Sequence, residues 1–469
     1  MKDDGTTRYP IADLIAALGP ISHTVDPRRV RVKSTDRYDM SPMLTSELTG
    51  RVADIVIAPA SADELRQVLA AAARLRIPLV PRAAGSCNYG QSVPLKGGII
   101  LDVMGLSGII DQTPDRVRVL AGTVMARLEK ELRQSGKELR FIPSTAKLAT
   151  VGGNFIGGIG GIGSLSYGCW SDPGNLISCK VMTLEETPRE IELTGLDVLR
   201  PFHTYGTTGV LTEMVLPLAP AWNWQEALVA FDDFVTAAKF AADLARAYAI
   251  TCKLASVQEW PIGRDVRQFS DHVPEGASVL LTMVADHSWP AFEHWAAERG
   301  GRVMARAPEA QGPWRQPMWE FAFGHLIQNV QRIRPKATVM EGFVRGPDME
   351  DKITRAHQLC SRFGPMFVEY LRLDGQLQGL ISPFFDYESD AQAEQVTEAL
   401  RAAGVLVRNP HTTTVRAVGK KHITDKDIAF KRETDPYGLM NPGRFEPDPA
   451  NDAVVNDNLA TDRFDTGHA

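Results

Sequence analysis

Apolar and polar positions change period repeatedly along the chain, and each change marks an element. Residues 11–18 carry the spacing of a short helix. Ile55, Val56 and Ile57 form an apolar strand that stops before Pro59. Ser61 to Glu64 has the form of a capping box, and Leu65, Val68, Leu69, Ala72 and Leu75 follow at helical spacing. Residues 77–81 predict a second strand, so residues 55–81 make a βαβ unit. Further strands are expected at 99–103 and at 117–121, where Val117, Val119 and Ala121 alternate with Arg118 and Leu120. A helix is expected over 124–135, a hairpin over 180–193, and a closing strand at 215–218.

After residues 219–222 glycine thins out and longer helices alternate with strands. Helices are expected at 232–248, 289–299, 318–333, 349–363 and 390–403. Strands are expected at 278–284, 303–305, 337–344, 366–373 and 377–382. This pattern predicts an α+β unit whose helices cover one face of an antiparallel sheet. The chain thus divides into residues 1–221 (core 52–218), residues 222–406, a return at 407–449, and a polar tail at 450–469 expected to be disordered.

Composition narrows the class without naming it. The 469 residues are 44% hydrophobic and 23% charged with a formal net charge of −6, and no basic patch points to nucleic acid. No apolar run is long enough for a spanning helix, and residues 1–10 lack the apolar core of a secretory signal. Cys87, Cys169, Cys179, Cys252 and Cys360 show no C-x-x-C spacing, so neither a disulfide framework nor a zinc site is expected. A cytoplasmic enzyme with reduced thiols fits these facts, and a homo-oligomer is compatible with them.

The chemistry lies in three glycine loops. The first, Pro81 to Gly90, follows a strand. Its small residues Ala83, Ala84, Gly85 and Ser86 permit close backbone approach, and successive N–H groups there can cradle an anion. A tight turn without a ligand is the alternative. The second runs from Thr150 to Gly168 and holds the densest glycine of the chain. Such a stretch costs chain entropy and makes sense where backbone lies against a large planar or phosphorylated ligand. Gly158, Gly160 and Gly163 match G-x-G-x-x-G, but no apolar strand precedes them and no helical apolar face follows, so a dinucleotide fold is rejected. The third loop, Tyr205 to Thr212, enters a strand and read alone could be a bulge.

In this order the loops resemble the FAD-linked oxidases, the family with the vanillyl-alcohol oxidase and p-cresol methylhydroxylase type of FAD-binding domain, as in D-lactate dehydrogenase and glycolate oxidase subunits. The family's P-R-G-x-G-T/S pattern is matched by Pro81 to Ser86, T-[IV]-G-G-N by Thr150 to Asn154, and G-T-x-G-[IV]-[IL]-T by Gly206 to Thr212. D-P-x-x-L-x-N-P-G-[KR] is matched by Asp435 to Arg444. The resemblance implies an α+β protein: a two-subdomain FAD-binding domain plus an α+β cap with an antiparallel sheet. It implies cofactor contacts from Arg82, Ala83, Ala84, Gly85, Ser86, Cys87, Asn88, Tyr89 and Gly90. Further contacts are implied for Pro143, Thr150, Val151, Gly152, Gly153, Asn154, Gly157, Gly158 and Tyr167, and for Gly206, Gly209, Val210, Leu211, Asn441 and Arg444. Ala83 departs from the family's usual glycine. Ser86 stands where members with covalent flavin often carry histidine, so non-covalent FAD is expected. Cys169, just after Tyr167-Gly168, leaves a thioether open, with a buried inert cysteine as the alternative.

The implied reaction is oxidation of a small alcohol, hydroxy acid or phenolic substrate by hydride transfer to flavin N5, with electrons passed to dioxygen or an external acceptor. Such chemistry needs a base. His411, at the return from the cap, and His325, in an aromatic-rich helix, are the candidates. Arg345 and Arg408 could pair with a carboxylate, and Tyr370 or Tyr387 could supply a phenol. No histidine pair has metal-ligand spacing, so no metal is expected. Two rival readings are a flavin-binding electron-transfer subunit of a larger complex and a nicotinamide-dependent reductase.

Overall fold

A computed structural model describes residues 9–445; the expected tail at 450–469 lies outside the described residues. Three sheets organise the described residues. In the first, strands Ile55–Ile57 and Leu79–Arg82 lie on either side of Ile99–Asp102, all parallel, with His23–Thr24 antiparallel at the edge. The expected strand–helix–strand unit is therefore present with a third strand inserted between its two. Its helix, Ala62–Leu75, starts where Ser61 accepts from the Glu64 N–H and the Glu64 carboxylate accepts from Ala60 N–H at 2.7 Å. Leu65, Val68, Leu69 and Ala72 bury one face of this helix against the sheet.

The second sheet is antiparallel, in the order Ile109–Gln112, Arg116–Leu120, Val210–Pro220, Ser178–Met182 and Glu190–Thr194, with Lys137–Leu139 paired to the end of Val210–Pro220. The third has nine strands. Its centre is Ser278–Ala285, Cys252–Gln258, Met366–Leu373 and Gln376–Asp386, all antiparallel neighbours. Helices Phe234–Arg246, Met349–Cys360 and Asp390–Ala402 cover one face through Phe234, Val368, Tyr370 and Ile381. The other face looks towards the first two sheets. The chain then returns: Leu79 N–H donates to Leu439 O at 2.9 Å and Asn441 N–H to Leu79 O at 2.7 Å.

Several elements differ from expectation. Strands Trp224–Phe231 and Cys252–Gln258 have no period-two alternation because both faces are buried, down to Glu226 and Lys253. Glu226 is satisfied by Trp314 Nε1, Met318 N–H and Ala310 N–H. The expected helix over 318–333 is broken: a turn at Met318–Phe321 gives way to the helix Phe323–Gln331, with Phe323 at φ +51°. The second glycine loop is not all loop, since Val151–Gly157 forms two turns of helix capped by Thr150. Gly158, Gly160 and Gly163 follow that helix and not a strand, so the G-x-G-x-x-G match still lacks its required context.

Candidate active site

The first glycine loop is anchored by its own arginine. Arg82 ends the strand Leu79–Arg82, and its buried guanidinium donates to Thr35 O at 2.9 Å and Ala83 O at 3.3 Å. Gly85 has φ +66°, and a Cβ there would stand 2.1 Å from that guanidinium, so only glycine fits. The N–H groups of Ala84, Gly85, Ser86 and Asn88 donate to no acceptor among the described residues, and all four residues line a cleft. Such a row of free N–H groups suits a pyrophosphate.

The helix Val151–Gly157 forms the adjoining wall. Thr150 Oγ1 accepts from Gly153 N–H at 3.0 Å, and at Gly153 a Cβ would lie 3.2 Å from the Ala83 side chain, so the two loops touch through missing side chains. The cleft between them holds about 1440 Å³ not filled by atoms, its solvent mouth included, and is also lined by Pro143, Asn154, Gly157 and Gly158. Free N–H donors and glycine backbone fit FAD.

Across the cleft the nine-stranded sheet presents Phe343, Leu371 and Leu380, an apolar wall extended by Phe323 and Ile159. At its edge sits an ionic group assembled from three distant parts of the chain. Lys420 Nζ donates to Glu341 Oε2 at 3.1 Å, and Tyr89 O–H donates to Glu341 Oε1 at 3.5 Å. Burial and the nearby Glu341 carboxylate hold the Tyr89 phenol well above its ordinary range. Tyr205, at φ +55°, closes the same side.

The residues singled out in the sequence fall into two groups. Arg82, Ala83, Ala84, Gly85, Ser86, Cys87, Asn88, Tyr89, Pro143, Thr150, Gly153, Asn154, Gly157 and Gly158 line the cleft. The others stand behind it. Gly90 packs on Leu48, Gly152 on Ala121, Gly206 on Pro81 and Gly209 on Val181. Val151, Val210 and Leu211 are buried in the core, and Tyr167 packs by Arg140. Asn441 Nδ2 donates to Tyr205 O at 2.7 Å and Gln91 O at 3.1 Å, clamping two loops together. Arg444 Nη2 donates to the carbonyls of Gly90 and Val93, and its Nη1 to Thr413 O at 2.9 Å. The C-terminal motif thus acts on the loop backbones and does not line the cleft.

Of the candidates for catalysis, the structure brings only His325 to the cleft, with Nδ1 donating to Ser144 O at 3.1 Å; burial lowers its pKa. His411 is not there. Its Nε2 donates to Val339 O at 2.7 Å, its Nδ1 accepts from Ser41 O–H at 2.8 Å, and its ring meets Tyr89 edge-on at 5.4 Å. Its nitrogens are engaged by Ser41 and Val339 away from the cleft, and its ring packs against Tyr89. Tyr370 faces the covering helices and donates to Ala238 O at 2.7 Å, and Tyr387 donates to Asp390 at 2.7 Å. Arg345 ends its strand opposite Gln378, and Arg408 packs beside Gly419; neither lines the cleft. Glu341, Lys420, Tyr205 and the apolar wall were not singled out in the sequence. The one available signal was Tyr205 itself, at the head of the third loop.

Burial pushes the His411 imidazole down to about 4 from an ordinary 6.5. The unfolded chain therefore binds the extra proton between these values, so this contribution to stability is full above about pH 6.5 and is lost as pH falls towards 4. Parent protein is expected to lose about 3 kcal/mol across that window through this residue, and His411→Phe to show a correspondingly flatter profile. Urea midpoints measured from pH 4.5 to 7 decide the matter; parallel profiles for the two proteins would refute it.

Comparison with known proteins agrees with this geometry. Residues 53–190 match the FAD binding domain family. Glycolate oxidase subunit GlcD of Bacillus subtilis (strain 168) is 22% identical over 89% of this chain and 93% of its own length. The Escherichia coli (strain K12) subunit of the same name is 29% identical over 40% of this chain and 39% of its own. D-lactate dehydrogenase of Anaerostipes hadrus is 25% identical over 36% of this chain and 37% of its own. Among solved structures, p-cresol methylhydroxylase superposes with a TM-score of 0.67 at 15% identity, covering 96% of this chain and 99% of that one. Alkyldihydroxyacetonephosphate synthase gives 0.69 at 14%, covering 94% and 87%. The reading as an electron-transfer subunit without its own reaction is not favoured by these relatives, and among the described residues no helix is long and apolar enough to cross a membrane. Residues 53–190 thus carry an FAD binding domain, and the chain is an FAD-dependent oxidoreductase.

Proposed function

We propose that the chain oxidises a small alcohol, hydroxy acid or phenolic compound whose body lies on the Phe343, Leu371 and Leu380 wall and whose hydroxyl points to Tyr89, Glu341 and Lys420. Residues 1–221 and 407–449 hold the cofactor in this reading, and residues 222–406 form the cap. When bound, FAD would supply a two-electron acceptor for the substrate's hydride. Glu341 takes the hydroxyl proton as the carbonyl forms, and the Lys420 ammonium and Tyr89 hydroxyl offset charge on the substrate oxygen. The electrons leave to dioxygen or an external acceptor.

One observation carries the reading: an ionic group and an apolar wall, from separate parts of the chain, meet on the cleft that the glycine loops frame. The cationic side chains on its lining are Arg82, tied to two carbonyls, and Lys420, tied to Glu341. A short hydroxy acid would have to compete for Lys420, whereas an apolar alcohol or phenol uses the wall as it stands. The hydroxy-acid reading is kept because two relatives are named for glycolate and D-lactate.

The test is anaerobic bleaching of the bound flavin with benzyl alcohol, 4-hydroxybenzyl alcohol, p-cresol, glycolate and D-lactate. Bleaching by an aromatic alcohol or phenol is expected, and Lys420→Met is expected to slow it by about 100-fold. A fully loaded protein that none of the five reduces would overturn the reaction. Bleaching by glycolate or D-lactate alone would move the substrate to the hydroxy acids.

We further propose that FAD is held non-covalently. The Cys169 thiol is buried, raised to about 12 by that burial, and donates to Arg372 O at 3.3 Å. Acid precipitation should leave the flavin in the supernatant; yellow precipitate would contradict this.

A further inference from the structure

Behind the apolar wall lies a buried carboxyl that the proposed reaction does not use. Glu369 belongs to the strand Met366–Leu373 and has no exposed surface. It stands opposite Leu380 on one neighbouring strand and Ser256 on the other. Leu380 and Leu371 line the cleft, so Glu369 faces the same side of the sheet as they do. A piece of backbone separates it from the cleft. Glu369 Oε1 accepts from the Phe323 N–H, and from Ser256 Oγ at 3.0 Å.

Phe323 opens the helix Phe323–Gln331 at φ +51°, a left-handed conformation that a bulky residue holds only under constraint. Phe323, Gly324 and His325 all line the cleft. Gln258 Nε2 donates to Phe321 O at 3.0 Å, so two polar side chains of the sheet pin the turn, one on each side of Ala322.

The donors and acceptors around Glu369 do not suit an ion. Its Oε2 finds no partner among the described residues, and neither does Gln258 Oε1. The charged group that faces it from the strand Glu341–Arg345 is another carboxylate, Glu341, paired with Lys420. Glu320 and His325 are the titratable residues of the turn and helix above, and neither bonds to it. The strands Cys252–Gln258 and Gln376–Asp386 offer it serine, glutamine and leucine. An ionised Glu369 would be a buried charge with no cationic partner and with donors on Oε1 alone, whereas the neutral acid keeps both of those bonds without a buried charge.

We propose that Glu369 is a positioning residue: as a neutral carboxylic acid it holds the strained turn 321–325 against the cleft, and its ionisation releases that turn. That the turn roofs the substrate's place rests on the reaction proposed above; the latch itself does not.

Burial holds the Glu369 carboxyl at about 8, above an ordinary 4.5. Once the turn opens and water reaches it, the group returns towards the lower value. The opened form then binds fewer protons than the closed one, so opening becomes easier by about tenfold per pH unit up to about pH 8 and levels off above.

Hydrogen exchange of the peptide covering residues 321–331 tests this in the full-length, FAD-loaded protein, at several pH values between about 5.5 and 8.5, corrected for intrinsic exchange. Parent protein should lose protection by about tenfold per unit below pH 8. Glu369→Gln, which keeps the acceptor and cannot ionise, should stay protected at every pH. Glu369→Ala should lose protection throughout, while helix Phe234–Arg246 and the flavin absorbance remain unchanged. Protection in the parent that ignores pH, or a Glu369→Gln profile that follows the parent's, overturns the proposal. Should Glu369→Ala not fold, parent against Glu369→Gln still decides. Exchange needs no turnover, so a failed substrate panel leaves this test intact.

Discussion

Gly85→Val is expected to yield a folded protein that purifies without its yellow colour. Gly85 sits at φ +66° in the middle of the row of free N–H groups. A left-handed residue other than glycine costs about 1–2 kcal/mol, and a β-branched one more. The new Cβ would also stand 2.1 Å from the Arg82 guanidinium. That group cannot swing away freely, because it is buried and holds Thr35 O and Ala83 O. Together these should displace the loop and weaken FAD binding by about 100-fold, equivalent to about 3 kcal/mol. Flavin absorbance per mole of protein, and titration with added FAD, measure the effect. The strand Leu79–Arg82 and its sheet lie outside the change, so the circular dichroism of the variant should match the parent's. A Gly85→Val protein that keeps a full complement of FAD would show that this loop does not hold the cofactor.

Lys253→Met is expected to destabilise the whole protein. Lys253 lies in the strand Cys252–Gln258 and is only 4% exposed. Its Nζ is 3.0 Å from Glu138 Oε1 and 3.7 Å from Glu129 Oε1, two carboxylates of the first half of the chain. Glu138 also accepts from Arg133 at 2.8 Å and from Trp224 Nε1 at 3.0 Å. Removing one partner of such a buried set leaves the others charged and short of a counter-ion, which costs about 3–5 kcal/mol. An exposed ion pair would cost about 1 kcal/mol or less. Denaturant unfolding separates the two. The double variant Lys253→Met with Glu138→Gln should regain much of the loss, since glutamine still accepts from Trp224 without a stranded charge. A single variant as stable as the parent would mean that water reaches the cluster.

The glycine loops and the cofactor they imply were legible in the sequence. A positive φ, a close approach of backbone and a row of unbonded N–H groups are local demands, and glycine is the local answer to them. Read alone these residues left a ligand-free turn open; the family resemblance turned Pro81 to Tyr89 into expected cofactor contacts, and these residues line the cleft. Asn441 and Arg444 were legible as a motif but not as a mechanism, since their clamp on the carbonyls of Gly90, Val93 and Tyr205 joins residues more than 200 positions apart.

The catalytic side was not legible. His411 was chosen because it stands at the return from the cap, yet Ser41 and Val339 occupy both its nitrogens. Tyr370 was chosen as a strand phenol, and Glu369 beside it passed unnoticed. Successive residues of a strand point to opposite faces, so the register of the nine-stranded sheet sends Tyr370 to the helices and Glu369 to the cleft side of the sheet, behind the turn at Phe323. The pairing of Glu341 with Lys420 likewise exists only once the return brings residue 420 beside the sheet. The sequence alone determined where backbone must bend and bind, because that depends on each residue and its neighbours. Tertiary structure decided which side chains stand on the cleft, because that depends on strand register and chain return, which no local pattern encodes.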